Sequence, residues 1–231
     1  MHAIDIDDAL ELVRDWRGVD HVFSDIDPAR TAHLVIDMQN AFLEEGMELE
    51  VPQSRETVDN INRISAALSV AGGVNIFTRM VMNEDFEQNW TIWLRYFCGD
   101  RRSANVKAIL RPGTHGQALY PAIAVGPSDI VIEKNRYSCF FPGASPLQAI
   151  LRERGIDTLI ISGTVTNCCC EATARDAMQL NYKVIFVSDA TSALNDADHN
   201  AALKNMVTIF ADVMDTATVV GFIEQPVPIT L

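Results

Sequence analysis

The chain has 231 residues, of which 48% are hydrophobic and 21% are charged, so it is long and apolar enough for one substantial core. Its 31 acidic and 18 basic residues give a formal net charge of −13. A field of that sign repels phosphate backbones and anionic lipids, so we expect no nucleic-acid partner and no membrane partner.

Short β-branched runs alternate with helical patterns along the chain. Most of the short runs are apolar at consecutive positions, which indicates strands that are covered on both faces. Strands separated by helices predict a doubly wound, mostly parallel sheet between two helical layers, a three-layer αβα fold. The predicted strands span residues 32–37, 74–79, 129–134, 157–162 and 183–188, and the predicted helices span residues 55–71, 145–154, 169–180 and 196–207.

Two segments lie outside this alternation. Residues 1–30 predict an N-terminal arm that precedes the main domain, residues 31–231. Residues 82–115 contain Trp90, Trp93 and a basic cluster, and we expect them to form a cap over the site that sets specificity.

The cysteines and the N-terminal composition indicate the compartment. There are five cysteines, and three of them are consecutive, which makes a poor disulfide framework. The first residues are acidic where a secretory signal has a basic stretch and an apolar run, and no window approaches about 18 apolar residues. We therefore expect a cytoplasmic protein with reduced thiols.

Polar residues stand where predicted strands end, and ligands of parallel sheets bind beyond those ends. Asp37 closes the first strand, Lys134 closes the third, and Gly163–Cys170 follows the fourth. Singly, Lys134 fits a solvated strand terminus, and Asp37 fits such a terminus or a helix N-cap. Together with a thiol they fit an activated nucleophile, with Asp37 as the general base and Lys134 as the cation beside the thiolate.

Cys169 is the candidate nucleophile. The segment ISGTVTNCCCEATARDAM passes from a strand through a turn into a helix, whose first N–H groups and dipole lower the pKa of a thiol. We expect a nearby Lys134 to lower the pKa of Cys169 further. Local context leaves open the alternative of a small buried hydrophobe, which is the role expected for Cys98, Cys139, Cys168 and Cys170.

Three motifs, HLVIDMQNAF, EKNRYSCFFPG and GTVTNCCCEATARDA, occur in this order within residues 31–225. Together they resemble the isochorismatase-like cysteine hydrolase superfamily, which includes nicotinamidases, N-carbamoylsarcosine amidohydrolases, ureidoacrylate amidohydrolases and isochorismatases. The KxRYSxFF stretch is most similar to the ureidoacrylate and carbamoyl-amide branch. The resemblance implies a six-stranded version of the predicted sheet.

The resemblance also implies which residues carry the chemistry. An Asp–Lys–Cys triad falls on Asp37, Lys134 and Cys169. A cis peptide falls between Thr164 and Val165, and the backbone N–H groups of Val165 and Cys169 form an oxyanion hole. Substrate contacts are expected from Trp90, Tyr137, Phe140 and Asn167. Trp90 and Trp93 together fit an aromatic wall of the site, and both fit a packed cap helix at least as well.

Nicotinamidases carry an Asp/His metal site after the first strand, but here no histidine lies between His33 and His115. We therefore expect neither a metal nor another cofactor. The resemblance suggests a homodimer or homotetramer.

The expected activity is hydrolysis of a C–N bond in a small amide, ureido or carbamoyl substrate through a thioester acyl-enzyme. Two alternatives remain open. One is a vinyl-ether hydrolase of the isochorismatase type, and the other is a catalytically silent thiol or redox scaffold.

Overall fold

A six-stranded sheet, parallel throughout, forms the middle layer of the computed structural model, which describes residues 1–225. The final six residues of the predicted domain, 226–231, lie outside the described residues. The strands are β1 (Thr31–Ile36), β2 (Val74–Met80), β3 (Ile130–Lys134), β4 (Thr158–Thr164), β5 (Lys183–Ser192) and β6 (Asp212–Met214). The predicted fold class and the five predicted strands are confirmed, and β6 is the strand that the apolar runs did not indicate.

The strand order is β3-β2-β1-β4-β5-β6, so the direction of winding reverses between β1 and β4. In a doubly wound sheet, such a reversal opens a crevice at the carboxyl ends of the two central strands. β1 and β4 are buried at every position, as their continuous apolar runs predicted.

Helices cover both faces of the sheet. They are α1 (Asp7–Arg17), α2 (Asn40–Leu43), α3 (Val58–Val70), α4 (Glu84–Asn89), α5 (Asp100–Ile109), α6 (Leu147–Glu153), α7 (Glu171–Gln179), α8 (Asp196–Asn205) and α9 (Thr216–Ile223). Side chains of α1, α6, α7 and α8 share one hydrophobic cluster, and those of α3, α5 and α9 share a second. Successive side chains of β1 point to opposite faces of the sheet, so Leu34 and Ile36 pack into the first cluster and Val35 packs into the second. None of the helices within residues 1–225 is both long and apolar enough to cross a bilayer.

Gly163 allows β1 and β4 to approach closely at their carboxyl ends. Its φ is +111°, and a Cβ atom at this position would lie 2.1 Å from the carbonyl oxygen of Ile36. Only glycine fits both the backbone conformation and the space. The residues that follow Ile36 and Gly163 therefore leave the sheet side by side.

The segment between β2 and β3 contains α4, a π-helical turn at Trp93–Cys98, and α5. Phe86 in α4 is fully buried and meets the rings of Trp90 and Trp93 edge-on. Residues 82–115 therefore pack on the second hydrophobic cluster, at the end of the sheet where β1 and β4 finish.

Candidate active site

Three side chains from separate parts of the chain meet at the carboxyl ends of the strands. Asp37 follows β1, Lys134 ends β3, and Cys169 lies in a π-helical turn, Thr166–Cys170, that follows β4. The ammonium nitrogen of Lys134 lies 2.7 Å from Asp37 Oδ2 and 3.3 Å from Cys169 Sγ. All three residues are buried, with exposed fractions of 0%, 1% and 6% in chain order.

Lys134 reaches this point by crossing over β2. It pairs in register with Met80, and its Nζ lies 3.7 Å from the sulfur of that methionine. The same nitrogen donates a hydrogen bond to the carbonyl oxygen of Arg136 at 3.0 Å. The strand places the backbone, and the long aliphatic stem carries the charge two strands across to Asp37.

Asp37 is held by its own backbone and by Thr78 on β2. It adopts a left-handed conformation with φ of +53°, which aspartate tolerates better than most residues. Its N–H donates to Thr78 Oγ1 at 3.2 Å, and the Thr78 hydroxyl donates to Asp37 Oδ1 at 2.8 Å. Apart from the ammonium of Lys134, Oδ2 has no hydrogen-bond partner among residues 1–225, so it retains a lone pair that can accept a proton.

The pKa values of Lys134 and Cys169 both differ from their ordinary values. Burial lowers the pKa of Lys134, but the pKa of its ammonium lies above the ordinary value, and attraction to the Asp37 carboxylate is the largest opposing cause. A hydrogen bond with Cys168, followed by burial, raises the pKa of Cys169 well above its ordinary value. The sequence-based expectation of a lowered pKa at Cys169 is therefore wrong, because burial and the neighbouring thiol outweigh the cation. A raised pKa favours the thiol of Cys169 over the thiolate near neutral pH.

The turn that carries Cys169 begins earlier than predicted, at Thr166 rather than residue 169. The peptide between Thr164 and Val165 is cis, as the family resemblance implied. The N–H groups of Cys168 and Cys170 both donate to the carbonyl oxygen of Val165, at 3.0 and 3.2 Å. The Val165 carbonyl is therefore directed into the helical turn.

Cys169 lines a cavity of about 210 Å³. Its wall is largely apolar, and its one charged residue, Arg102, pairs with Glu48 at 3.5 Å. A larger depression of about 770 Å³ beside α3 and α9 contains no thiol or hydroxyl side chain, so the smaller cavity is the candidate site. The lining consists of Phe42, Leu49, Met80, Met82, Trp93, Phe97, Arg102, Val106, Leu110, Tyr137, Val165, Cys168 and Cys169.

The predicted substrate contacts are only partly brought together. Tyr137 lines the cavity, whereas Phe140 packs against Tyr182 with ring centroids 5.6 Å apart, on the first hydrophobic cluster. Asn167 is exposed and does not line the cavity. Trp90 stands behind Tyr137, edge-on at 4.8 Å, and lines a neighbouring depression instead.

Sequence reasoning missed most of the apolar wall. Met80 ends β2 and Met82 lies two residues beyond it, so their position at a strand end was a usable signal. Trp93 was expected as an aromatic wall residue, but Phe97 was not, because both belong to a π-helical turn whose wider spacing no helical pattern reveals. Within residues 1–225, no cluster of three or more histidine, cysteine, aspartate or glutamate side chains could hold a metal ion.

Comparison with known proteins is consistent with this arrangement. A family model described as Isochorismatase domain matches residues 31–218. Ureidoacrylate amidohydrolase RutB of Methylorubrum extorquens is 34% identical over 204 residues, which cover 83% of this chain and 82% of that protein. A cysteine hydrolase from Pseudomonas syringae superimposes with a TM-score of 0.78 at 32% identity, covering 87% of this chain and 95% of its own. N-carbamoylsarcosine amidase from Thermoplasma acidophilum superimposes with a TM-score of 0.65 at 27% identity, covering 81% of this chain and 96% of its own.

Proposed function

The chain belongs to the isochorismatase family, as its three motifs predicted, and on that premise we propose that it cleaves a C–N bond of a small amide or ureide through a thioester on Cys169. The observation that carries the proposal is the pair of contacts at Lys134 Nζ, 2.7 Å to a carboxylate and 3.3 Å to a thiol. A buried thiol beside an ammonium group, which also contacts a carboxylate that can act as a base, fits covalent catalysis.

In the first half-reaction Asp37 accepts the thiol proton at Oδ2 as the sulfur attacks the carbonyl carbon. The C–S bond forms while the C=O π electrons move onto oxygen. Backbone N–H groups of Val165 and Cys169 receive this oxyanion, and each such donor contributes about 3 kcal/mol of barrier lowering in hydrolases of known mechanism. The tetrahedral intermediate then collapses, the C–N bond breaks, and Asp37 returns its proton to the departing nitrogen.

In the second half-reaction water replaces the departed ammonia or amine. Asp37 takes a proton from the water, the hydroxide oxygen adds to the thioester carbon, and the C–S bond breaks. The proton on Asp37 returns to the sulfur, so the thiol of the resting protein is restored. Lys134 stays charged throughout, which lowers the energy of each state with negative charge on sulfur or oxygen.

The substrate that we propose carries a terminal carbamoyl or ureido group. Two similar proteins are named for ureidoacrylate and N-carbamoylsarcosine, both of which contain such a group. The cavity volume of about 210 Å³ supports a short acyl part. Tyr137 is the predicted substrate contact that this cavity supports, with Met82 and Trp93 forming apolar wall around it.

The proposal is tested by assaying ammonia and amine release from a panel of ureides, carbamoyl amino acids and primary amides. We expect turnover of at least one ureide by the wild-type protein and none by Cys169→Ala. Cys139→Ala, which removes a different buried thiol, serves as the matched control and should keep most of the activity. Full activity in the Cys169→Ala protein would contradict the proposal, and pyruvate release from a vinyl ether without amide cleavage would favour the ether hydrolase instead.

We also propose that the protein works in the cytoplasm as a homodimer or homotetramer. All five cysteines are free in residues 1–225, which supports a reducing compartment. The exposed fractions of Ile92, Tyr96 and Phe97, 58%, 67% and 75%, support a contact with another copy at the cap. Sedimentation velocity of the wild-type protein tests the subunit number, and a monomer at micromolar concentration would contradict it.

A further inference from the structure

Two stacked histidines lie against the turn that carries Cys169, and the mechanism above uses neither. The rings of His2 and His199 are 4.2 Å apart between centroids and inclined by 14°. His199 is fully buried in α8, and His2 exposes 8% of its surface. His199 Nδ1 lies 2.9 Å from the hydroxyl oxygen of Thr166, the first residue of the turn.

The partners of His199 determine where its proton lies. Its Nε2 is 3.1 Å from the carbonyl oxygen of Ser188, which can only accept, so Nε2 carries the hydrogen. Burial, together with repulsion from His2, lowers the pKa of His199 to about 4, so the ring is neutral near pH 7. Nδ1 is therefore an acceptor, and the Thr166 hydroxyl donates to it. This bond fixes both the orientation of the threonine and the tautomer of the histidine.

Hydrogen bonds at both ring nitrogens also fix the tautomer and orientation of His2. Its Nδ1 faces Asp196 Oδ1 at 2.8 Å and must donate, while its Nε2 accepts the N–H of Ala193 at 3.0 Å. The neighbouring arm is tied to α8 as well, because Asn200 accepts from the N–H of Asp5 and donates to the carbonyl of Ala3, each at 2.8 Å. The arm thus brings a flat ring onto His199 and closes that side of the core.

Thr166 occupies a sensitive position. It follows Val165, whose N–H is a proposed oxyanion donor, and it begins the turn that aims Cys169 at Lys134. The residue on the other side of the cis peptide, Thr164, is held by a hydrogen bond of 3.0 Å from Ser54. Buried hydroxyl groups therefore fix the residues on both sides of Val165.

We propose that His199 is a positioning residue for the catalytic turn, and that the N-terminal arm supports it through His2. This inference rests on the proposed function, because it assigns the turn a role in stabilising the transition state. Loss of the Thr166–His199 bond leaves the imidazole nitrogen without a donor and lets the turn relax. A displacement of about 1 Å in groups that act in the transition state can cost about 100-fold in rate. Ground-state binding in the apolar cavity depends little on these groups, so kcat falls while KM changes little.

The test uses Thr166→Val, which removes the hydroxyl and keeps the shape, together with Thr166→Ser, which restores a donor. We expect kcat to fall by about tenfold or more in Thr166→Val with KM within about twofold of wild type, and Thr166→Ser to recover most of the loss. Ser65→Ala is the matched control, because Ser65 stands on α3, outside the turn, and makes a 3.0 Å bond to another buried imidazole, that of His33. The kcat of Ser65→Ala should equal that of the wild type, even if its free energy of unfolding falls as far as that of Thr166→Val.

The arm is tested with His2→Phe, which keeps a flat ring over His199, and His2→Ala, which does not. We expect kcat to fall further in His2→Ala than in His2→Phe, again with little change in KM. Wild-type kcat in both Thr166→Val and His2→Ala would overturn the inference and leave the proposed function standing. If the wild-type protein turns over no panel substrate, the proposed function fails. The rate of Cys169 alkylation then decides the inference, and an unchanged rate in Thr166→Val overturns it.

Discussion

Lys134 Nζ lies 2.7 Å from Asp37 Oδ2, and neither side chain exposes any surface to solvent. Asp37 follows β1 and Lys134 ends β3, with β2 between these strands, so the ion pair also bridges the sheet at its carboxyl end. A buried pair of this kind is costly to break on one side only, because the remaining charge loses its partner but not its burial.

Removing one partner of the ion pair should destabilise the protein. Lys134→Met should lower the free energy of unfolding by about 3–5 kcal/mol, because it leaves the Asp37 carboxylate buried and unpaired. The double variant Lys134→Met/Asp37→Asn should be more stable than Lys134→Met, since no isolated charge remains. Urea unfolding of the variants measures both effects. A double variant whose loss equals the sum of the two single losses would show that the side chains do not interact.

Asp37→Asn should move catalysis and thiol reactivity in opposite directions. Loss of a general base lowers kcat/KM by about 10²- to 10⁴-fold. The negative charge of Asp37 is one of the causes that raise the pKa of Cys169, so its removal lowers that pKa and leaves Lys134 free to stabilise the thiolate.

Iodoacetamide should therefore alkylate Cys169 faster at pH 7 in Asp37→Asn than in the wild-type protein. Glu153→Gln, which removes an exposed carboxylate, is the control and should change neither rate. Slower alkylation in Asp37→Asn would mean that the carboxylate activates the resting thiol directly.

The hydrogen bond with Cys168 is the largest cause of the raised pKa at Cys169. In the wild-type protein the alkylation rate of Cys169 should still be rising with pH above about 8.5, the ordinary thiol value. Cys168→Ala removes the hydrogen bond, so the pKa of Cys169 falls and the whole profile moves to lower pH. Mass spectrometry of the alkylated peptide at several pH values measures the profile. Identical profiles in the two proteins would refute the role given to Cys168.

Because His33 is buried, we predict that the folded protein loses stability in mild acid. Burial lowers its pKa to about 3, so the folded protein does not protonate it at pH 4.5. The unfolded chain binds a proton near pH 6.5, so stability present above that pH is lost as the pH falls towards the folded value. The slope approaches about 1.4 kcal/mol per pH unit for one histidine below about pH 5.5.

His33→Gln should flatten the dependence of the free energy of unfolding on pH by about that slope. Urea unfolding between pH 4.5 and 6.5 tests this for both proteins. Parallel curves for His33→Gln and wild type would show that the imidazole is protonated in the folded state as easily as in the unfolded one.

The sequence predicted where the three central side chains lie because each stands at the end of a predicted strand or in the turn that follows one. Parallel strands bring such ends to one edge, so Asp37, Lys134 and Cys169 could be placed together without coordinates. The sign of the pKa shift at Cys169 could not be predicted, because it depends on burial and on which way Cys168 turns.

Other features lay beyond the sequence for equally physical reasons. Strand β6 has only three residues, too few for a recognisable apolar run. Trp93 rather than Trp90 faces the cavity, since a π-helical turn rotates the side chains from their α-helical directions. The contact between His2 and Asp196 joins residues 194 positions apart, and no local pattern encodes it.

The most direct test of the central claim is to trap the acyl-enzyme. Wild-type protein is mixed with a ureide that it turns over, quenched in acid within milliseconds, and measured as an intact mass. We predict an adduct equal to the substrate less the ammonia or amine lost, located by fragmentation to Cys169 within the tryptic peptide of residues 155–175. Asp37→Asn should form no such adduct on this time scale. Rapid turnover with an unmodified peptide, or an adduct on Cys168 or Cys170, would contradict the claim that the thiol beside Lys134 is the nucleophile.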